Sequence, residues 1–322
     1  MTAERGVDLS IVVVCFNDRE VVVPCLESIR EARPKLELEV IVVDNGSRDG
    51  SAQAAREAYP AARALAPGRN LGYAGGNNAG FREARGRYVL FLNPDTLIRE
   101  GALERMVERA DSDERCGAAG PRVVGRDGRL QRSCFRSPRV LDFAAVGLML
   151  HRIPGYERAV GLNGYRDAMY EGPFEPDVVS GCCILARREL LERIGAFDEE
   201  YFIYFEETDL CERIRRAGYR VLYVPDAEIV HLGGATTVKQ ETWFRIQFEK
   251  SRRRFFLKHR GRGLTWASGA ILAASLALRL ALGGAAAAVT LGRWRRAREK
   301  TAMIARILGW QLGLVEQGEK PT

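Results

Sequence analysis

The stretch Tyr88-Val89-Leu90-Phe91-Leu92-Asn93-Pro94-Asp95 decides how this chain is read. Five apolar and aromatic residues in a row predict a strand buried on both faces of an α/β sheet. Pro94 has no N–H to give to a ladder, so the strand stops there. An acidic side chain is thereby delivered at the carboxyl end of a central strand, the edge where open α/β sheets bind ligands. Asn93-Pro94-Asp95 taken alone better suits a plain turn, with Asp95 capping a helix that starts at Thr96-Leu97-Ile98. The tripeptide by itself leaves both readings open.

The flanking sequence supplies the sheet. Leu9 to Cys15 is an apolar, β-branched run and predicts a first buried strand. Asn17 opens a helical stretch in which Val22, Leu26 and Ile29 share a face, with Pro24 in its first turns. A second strand, Glu39 to Val43, ends at Asp44-Asn45-Gly46-Ser47, and a short helix covers Ser51 to Tyr59. The glycine-rich segment Gly68 to Gly80 and another helix lead to the Tyr88 strand. This alternation predicts a doubly wound, mostly parallel sheet. Beyond Gly120 a hairpin is expected about Asp127-Gly128, and Pro138 to Pro176 shows no period and reads as a long loop or lid. A strand from Asp177 to Ala186, a helix from Arg187 to Ile194 closed by Gly195, a helix from Glu206 to Ala217 closed by Gly218, and a strand from Arg220 to Val224 complete the pattern. No internal repeat is visible.

The 322 residues are 46% hydrophobic and 28% charged, which is globular composition. The net charge of +7 gathers late, in Arg252-Arg253-Arg254, Lys258-His259-Arg260, Arg262 and the run from Arg293 to Lys300. Such a tail suits an anionic membrane surface or an anionic substrate. Nucleic acid is not expected as a partner, because no helix-turn-helix or aromatic-basic strand pattern occurs. Seven cysteines without Cys-x-x-Cys spacing argue against a disulfide framework or zinc site and for a reducing compartment. Met1 to Ser10 holds no apolar signal core, which places the bulk of the chain in the cytoplasm. Leu264 to Leu291 is mostly Ala, Leu, Ile, Val and Gly with Arg279 its one charge. It fits an interfacial helix or helical pair on a membrane, a spanning segment, or a soluble helical hairpin broken at Gly283-Gly284. Basic flanks favour the first, peripheral placement on the inner face of the membrane.

Four features carry candidate chemistry. Asp44 ends the second strand as Asp95 ends a later one, so both belong at one sheet edge, where a carboxylate accepts hydrogen bonds from a nucleobase or ribose; a turn needs the same residues. The 68–80 segment permits close backbone approach and leads into a helix near Asn77, whose starting N–H groups attract phosphate; it matches neither a Walker loop nor Gly-x-Gly-x-x-Gly. Tyr201 to Arg213 sets Glu206, Glu207 and Asp209 at a helix start behind an aromatic stretch. Acids there complement the helix dipole, while neighbouring aromatics desolvate a carboxyl and raise its pKa toward a general base's range. His231 closes the strand-like run Ala227 to Val230 and is a candidate metal ligand at the same edge.

Taken together, these segments resemble family 2 glycosyltransferases of the GT-A fold, in the rhamnosyltransferase-like branch. The matching stretches are Ser10 to Asn17, Val43 to Ser47, Asn70-Leu-Gly-Tyr-Ala-Gly-Gly-Asn77, Leu92-Asn-Pro-Asp95, Ser180-Gly181, Gly195-Ala-Phe-Asp198, Glu206 to Arg213 and Val230-His231. The resemblance implies an inverting transfer of a sugar, rhamnose among the candidates, from a dTDP- or UDP-linked donor to a hydroxyl of a lipid-linked or cell-envelope glycan. It implies donor contacts from Asn17, Asp44, Asn70, Gly75, Asn77, Asn93 and Asp95, and an acceptor side shaped by Gly181 and Tyr204. Asp95 and His231 would hold Mn²⁺ or Mg²⁺, and the base would be Glu207, with Glu206 and Asp209 as alternatives. Residues 1–240 would form the catalytic domain and 241–322 a basic, hydrophobic helical region.

Two departures stand out. Asn93 takes the place of the first acid in the family's Asp-x-Asp motif, so one charge is missing from the cation site. Glu206-Glu207 replaces the usual Glu-Asp, which puts a longer side chain at the base position. A catalytically degenerate, glycosyltransferase-like binding or scaffold protein is the alternative these departures raise.

Overall fold

Leu9–Cys15 (β1) is buried along all seven residues, with Leu9, Ile11, Val13 and Cys15 packed into one apolar cluster and Val12 and Val14 into another. Period-two alternation thus feeds two cores, one on each face of the sheet. The computed structural model describes residues 6–150, 153, 164–233, 241–289 and 295–315, which divide into two units. Residues 6–137 and 164–233 build the sheet; residues 138–150, 153, 241–289 and 295–315 build a helical unit.

The first unit runs β1, α1 (Arg19–Glu31), β2 (Leu38–Asp44), α2 (Ser51–Ala58), β3 (Arg63–Leu65), α3 (Gly72–Phe81), β4 (Tyr88–Leu92), β5 (Thr96–Ile98), α4 (Ala102–Asp111) and β6 (Cys116–Val124). After β7 (Cys134–Phe135) the chain leaves for α5 (Val140–Gly147) of the second unit. It returns as β8 (Val178–Val179), β9 (Cys183–Arg187), α6 (Arg188–Ile194), α7 (Glu206–Arg216) and β10 (Arg220–His231). The main sheet has the order β3-β2-β1-β4-β9-β6-β10-β5. β1 to β4 are mutually parallel, as is β6 with β10, while β9 runs antiparallel between β4 and β6. Helices α1 and α4 cover one face through Val22, Leu26, Ile29, Leu103 and Met106; α3, α6 and α7 cover the other through Ala74, Leu190, Leu191, Leu210 and Ile214.

Several local expectations change. Thr96–Ile98 is not a helix capped by Asp95 but a strand paired antiparallel to β10. The Asp177–Ala186 strand is broken at 180–182 into β8 and β9. The hairpin at Asp127-Gly128 shrinks to a turn and the single bridge Val124–Leu130, since β7 pairs with β8 instead. The strand starting at Arg220 does not stop before Pro225; a bulge absorbs residues 225–227 and pairing resumes at Glu228, the setting in which a strand tolerates proline. Within the Pro138–Pro176 loop lie α5 and a 3₁₀ turn, Asp167–Glu171; residues 151–152 and 154–163 are outside the described residues.

The glycine-rich segment is itself helix. α3 begins at Gly72 rather than near Asn77, and its glycines exist for packing. A Cβ on Gly76 would lie 2.7 Å from Val14 Cγ1, and one on Gly80 would overlap Val12. The helix therefore lies directly on β1.

The second unit contains α5, α8 (Glu241–His259), α9 (Arg262–Val289) and α10 (Arg295–Gln311), around Ile246, Leu276 and Ile307. α9 runs through Gly283-Gly284 without a break, up to Val289.

Alanine normally stabilises a helix interior over glycine by about 0.5–1 kcal/mol. Gly80→Ala should reverse that sign, destabilising by about 1–3 kcal/mol through overpacking on Val12. Gly172→Ala, with nothing within 4 Å of the added carbon, is the neutral control in urea unfolding.

Candidate active site

The parallel register puts Asp44 across from Cys15 and Leu92 across from Val13, so the loops after β1, β2 and β4 share one edge. At the first two, the side chains are knit into paired turns. Asp44 Oδ1 accepts the Ser47 N–H at 3.0 Å, Asn17 Oδ1 accepts the Arg48 N–H at 2.8 Å, and the Asn17 N–H donates to Ser47 Oγ at 3.0 Å. Asn17 has a φ of 58°, a left-handed conformation that asparagine tolerates.

The start of α3 is not an open phosphate cradle. Leu71 N–H donates to Asn45 Oδ1, Gly72 N–H to Asn70 Oδ1, and Tyr73 N–H to the Phe202 carbonyl. Three starting N–H groups are thus taken by the protein's own acceptors. Asn70 serves as this cap and also accepts from Asn45 Nδ2 at 3.2 Å. Gly75 is buried inside the helix. Asn77 is 1% exposed; its Nδ2 donates to the Tyr73 carbonyl, while its Oδ1 has no hydrogen-bond partner.

Residues Asn93 to Thr96 form a β-turn closed by Thr96 N–H to the Asn93 carbonyl, with Pro94 in its favoured second position. The turn and site readings of this tripeptide are therefore compatible. β5 leaves the turn and pairs with the end of β10, His231 opposite Thr96, and Leu232 N–H donates to the Asp95 carbonyl at 2.9 Å. His231 Nε2 comes to 3.4 Å from Asp95 Oδ1. Asn93 Oδ1 and Asp95 Oδ1 are both buried without a hydrogen-bond partner.

Gln131, unremarkable in the sequence, holds the histidine ring. Its Nε2 donates to the His231 carbonyl at 2.9 Å, which fixes the amide so that Oε1 faces His231 Nδ1, also at 2.9 Å. An acceptor there places the ring proton on Nδ1 and leaves the Nε2 lone pair directed at Asp95. Among the described residues no group of three His, Cys, Asp or Glu side chains forms a metal cage. Asn93, Asp95 and His231 nevertheless offer oxygen and nitrogen donors of the kinds that suit a divalent cation.

The acids cluster where α7 begins. Tyr204 and Phe205 both have positive φ, 70° and 67°, a strained entry of the kind found at functional sites. Glu206 is 5% exposed and its Oε2 has no hydrogen-bond partner. Burial pushes its carboxyl well above the ordinary range, and the charge on Glu207 adds to that. Burial raises Glu207 as well. Asp209 lies apart from this pair in role: fully buried, it binds Arg213 at 2.7 Å, and Arg213 also donates to the carbonyls of Ile194, Gly195 and Ala196.

Gly181 adjoins the pair, since a Cβ there would lie 3.7 Å from Glu207 Cβ and 3.6 Å from the Tyr73 hydroxyl. That hydroxyl donates to the Gly181 carbonyl at 2.6 Å. The next residue, Cys182, accepts the Asn93 N–H at 2.9 Å. The 180–182 turn thus ties the Asn93–Asp95–His231 corner to the Tyr73–Glu207 corner.

A sheet in which an antiparallel strand interrupts a parallel set, with an acid-bearing turn at its carboxyl edge and buried acids opening a following helix, agrees with the GT-A resemblance of the sequence. The Glycosyl transferase family 2 profile matches residues 10–195, and the chain belongs to that family. It is 34% identical over 220 residues to the N-acetylglucosaminyl-diphospho-decaprenol L-rhamnosyltransferase of Mycobacterium tuberculosis, covering 63% of this chain and 68% of the relative. It is 28% identical over 179 residues to the dTDP-rhamnosyl transferase RfbF of Shigella flexneri, covering 53% and 52%. In fold it is similar to a mannosyltransferase from Pyrobaculum calidifontis solved with GDP-Man and Mn²⁺, with a TM-score of 0.58 and 22% identity over 97% of this chain and 88% of that one.

Because the folded state holds a proton on Glu206 more tightly than the unfolded chain does, stability associated with this group is complete below the usual value of 4.5 and is lost as pH rises through the raised pKa. Glu206→Gln, which keeps the side chain neutral, should therefore raise the melting temperature at pH 8 and leave it nearly unchanged at pH 4. Scanning calorimetry at both pH values checks this.

Proposed function

We propose that this chain is an inverting glycosyltransferase that moves a sugar, rhamnose by its relatives' names, from a dTDP- or UDP-linked donor to a hydroxyl of a lipid-linked or cell-envelope glycan. The observation that carries the reading is the 180–182 turn, which couples an oxygen-rich corner suited to a diphosphate's divalent cation to a buried carboxylate pair suited to proton removal. On this reading Asp44 and Asn17 border the nucleoside, and Asn70, Gly75 and Asn77 set the shape of α3 beside it. Asn93, Asp95 and His231 would hold Mn²⁺ or Mg²⁺, which supplies charge neutralisation to the departing diphosphate.

Glu207 takes the acceptor's hydroxyl proton as that oxygen bonds to the anomeric carbon and the carbon–phosphate-oxygen bond breaks on the opposite face. A single displacement inverts the centre. Glu206 keeps its own proton, so the pair carries one negative charge, on Glu207. Tyr73, whose ionisation burial and both glutamates oppose, stays a donor and holds Gly181 beside the base. Tyr204 and Gly181 shape the acceptor side. The work is done at the inner face of the cell membrane, where a lipid-linked acceptor would lie.

Asp95→Ala should abolish Mn²⁺-dependent binding of nucleotide sugar in calorimetric titration, and Gln131→Leu should weaken it about 10–100-fold by releasing His231. Wild-type binding by Asp95→Ala overturns the cation assignment. Glu207→Gln should bind donor normally yet lose about 10²–10⁴-fold in turnover. Since the base must be ionised, wild-type kcat/KM should fall toward acid through a limb above the usual carboxylate value of 4.5. Unchanged turnover in the Gln variant moves the base to a neighbour.

A further inference from the structure

The polarity of α9 is inverted relative to the helices of the sheet unit. In α4 the buried residues are Ala102, Leu103, Met106, Val107 and Ala110, and charged Glu108 and Asp111 are exposed. Between Gly263 and Leu282 of α9 the polar residues are Thr265, Ser268, Ser275 and Arg279. The three hydroxyl residues are 9%, 1% and 5% exposed. Arg279 is half-buried and donates to the Val146 carbonyl at the end of α5.

The outward residues of the same stretch are Trp266, Ala267, Ala270, Ala274, Ala277, Leu278, Ala281 and Leu282. They recur every three or four positions and form one face about 24 Å long without a charge. Trp266 is 74% exposed, Leu278 46% and Leu282 54%. Of the thirteen large apolar side chains left exposed among the described residues, only Met169 belongs to the sheet unit. Hydroxyls and small residues inside with apolar residues outside is how helices pack when lipid is the solvent.

Charge names the lipid. From Lys250 to Arg298 the sequence holds twelve Lys and Arg residues and no Asp or Glu. Lys258, Arg260 and Arg262 lead into α9 beside exposed Leu257, Leu264 and Trp266. A tryptophan at the meeting of a basic and an apolar surface is an interfacial anchor. Length and hydropathy would also let residues 262–282 cross a bilayer. The companions of α9 decide otherwise: α8 and α10, which pack against it, carry charge along their length. One face of α9 meets lipid while its others meet protein.

We propose that α9 lies in the plane of an anionic bilayer, with its Trp266-to-Leu282 face in the acyl layer and the basic residues at its start on the headgroups. This deepens the membrane-surface reading above and rests on it.

The test labels the full-length chain at depth. Ala267→Cys, Ala274→Cys and Ala281→Cys place one thiol each along the outward face, seven residues apart, while the seven native cysteines are buried. Each variant carries an environment-sensitive maleimide dye and is mixed with phosphatidylcholine–phosphatidylglycerol vesicles whose acyl chains are brominated at shallow or deep positions. All three dyes should shift to the blue and be quenched equally, most strongly by the shallow bromines. Quenching that deepens from 267 to 274 and emerges again at 281 means a spanning helix and overturns the in-plane placement alone. Absence of a shift, with protein left in the supernatant, overturns both this and the membrane reading. Equal binding to pure phosphatidylcholine vesicles overturns the anionic partner. Leu278→Glu with Leu282→Glu, both on exposed positions, should cut vesicle binding at least tenfold and leave nucleotide-sugar binding unchanged; full vesicle binding overturns the face.

Discussion

The geometry of the candidate site depends on one pairing, that of β9 antiparallel to β4. Its register sets Leu92 against Cys183, so the residue after β4 and the residue before β9 must meet, and they do so in the hydrogen bond from Asn93 N–H to the Cys182 carbonyl. A slip of one residue would turn the 180–182 turn to the opposite face of the sheet. Gly181 would then leave Tyr73 and Glu207, and Asn93 would lose its partner. The antiparallel strand is therefore what joins two halves of the candidate site, whose residues come from both ends of the first unit.

Hydrogen bonding separates the polar residues of this edge into two groups. Asn45, Asn70, Asn78 and Asp209 spend their side chains on backbone and ion-pair partners. They hold loops in place. Asn93, Asp95, Asn77 and Glu206 each keep a buried oxygen without a partner, a condition that costs about 1–3 kcal/mol per group. Two of these oxygens stand together on the Asn93–Asp95 turn. Stability is given up where a ligand's charge can repay it, which is the usual signature of a functional edge.

Much of this was legible from residue order, and what was hidden has physical causes. Continuous apolar runs announced β1, β2 and β4, and Pro94 marked the end of β4 because a missing N–H is visible in sequence. The acids at 206 and 207 were found for the same kind of reason, as charges placed beside aromatics. The helix at Gly72 escaped because its glycines disfavour helix locally; they are required by contact with Val12 and Val14, a tertiary fact. β3 and β5, three residues each, gain their strand character only from neighbours. Pro225 hid the joining of the Arg220 strand to the strand-like run Ala227 to Val230, since a bulge shows only in the partner's register. Gln131 had no signal at all: a glutamine after a turn becomes a clamp only when a strand a hundred residues later arrives beside it.

The two units also follow opposite polarity rules, and the difference bears on function. A lipid-linked acceptor is confined to a surface, and an enzyme free in three dimensions meets it at bulk concentration. Holding the enzyme on the same surface converts that encounter into one at a much higher effective concentration without adding a contact to the acceptor. On the proposed placement an inside-out helix would achieve this by area burial, and basic residues at its start would add attraction that falls with salt. Arg279 is a charge within an apolar run, and its hydrogen bond to the Val146 carbonyl satisfies one of the guanidinium donors that hydrocarbon would penalise. That charge is thus the one that fixes α9 to α5, leaving the outward face uninterrupted.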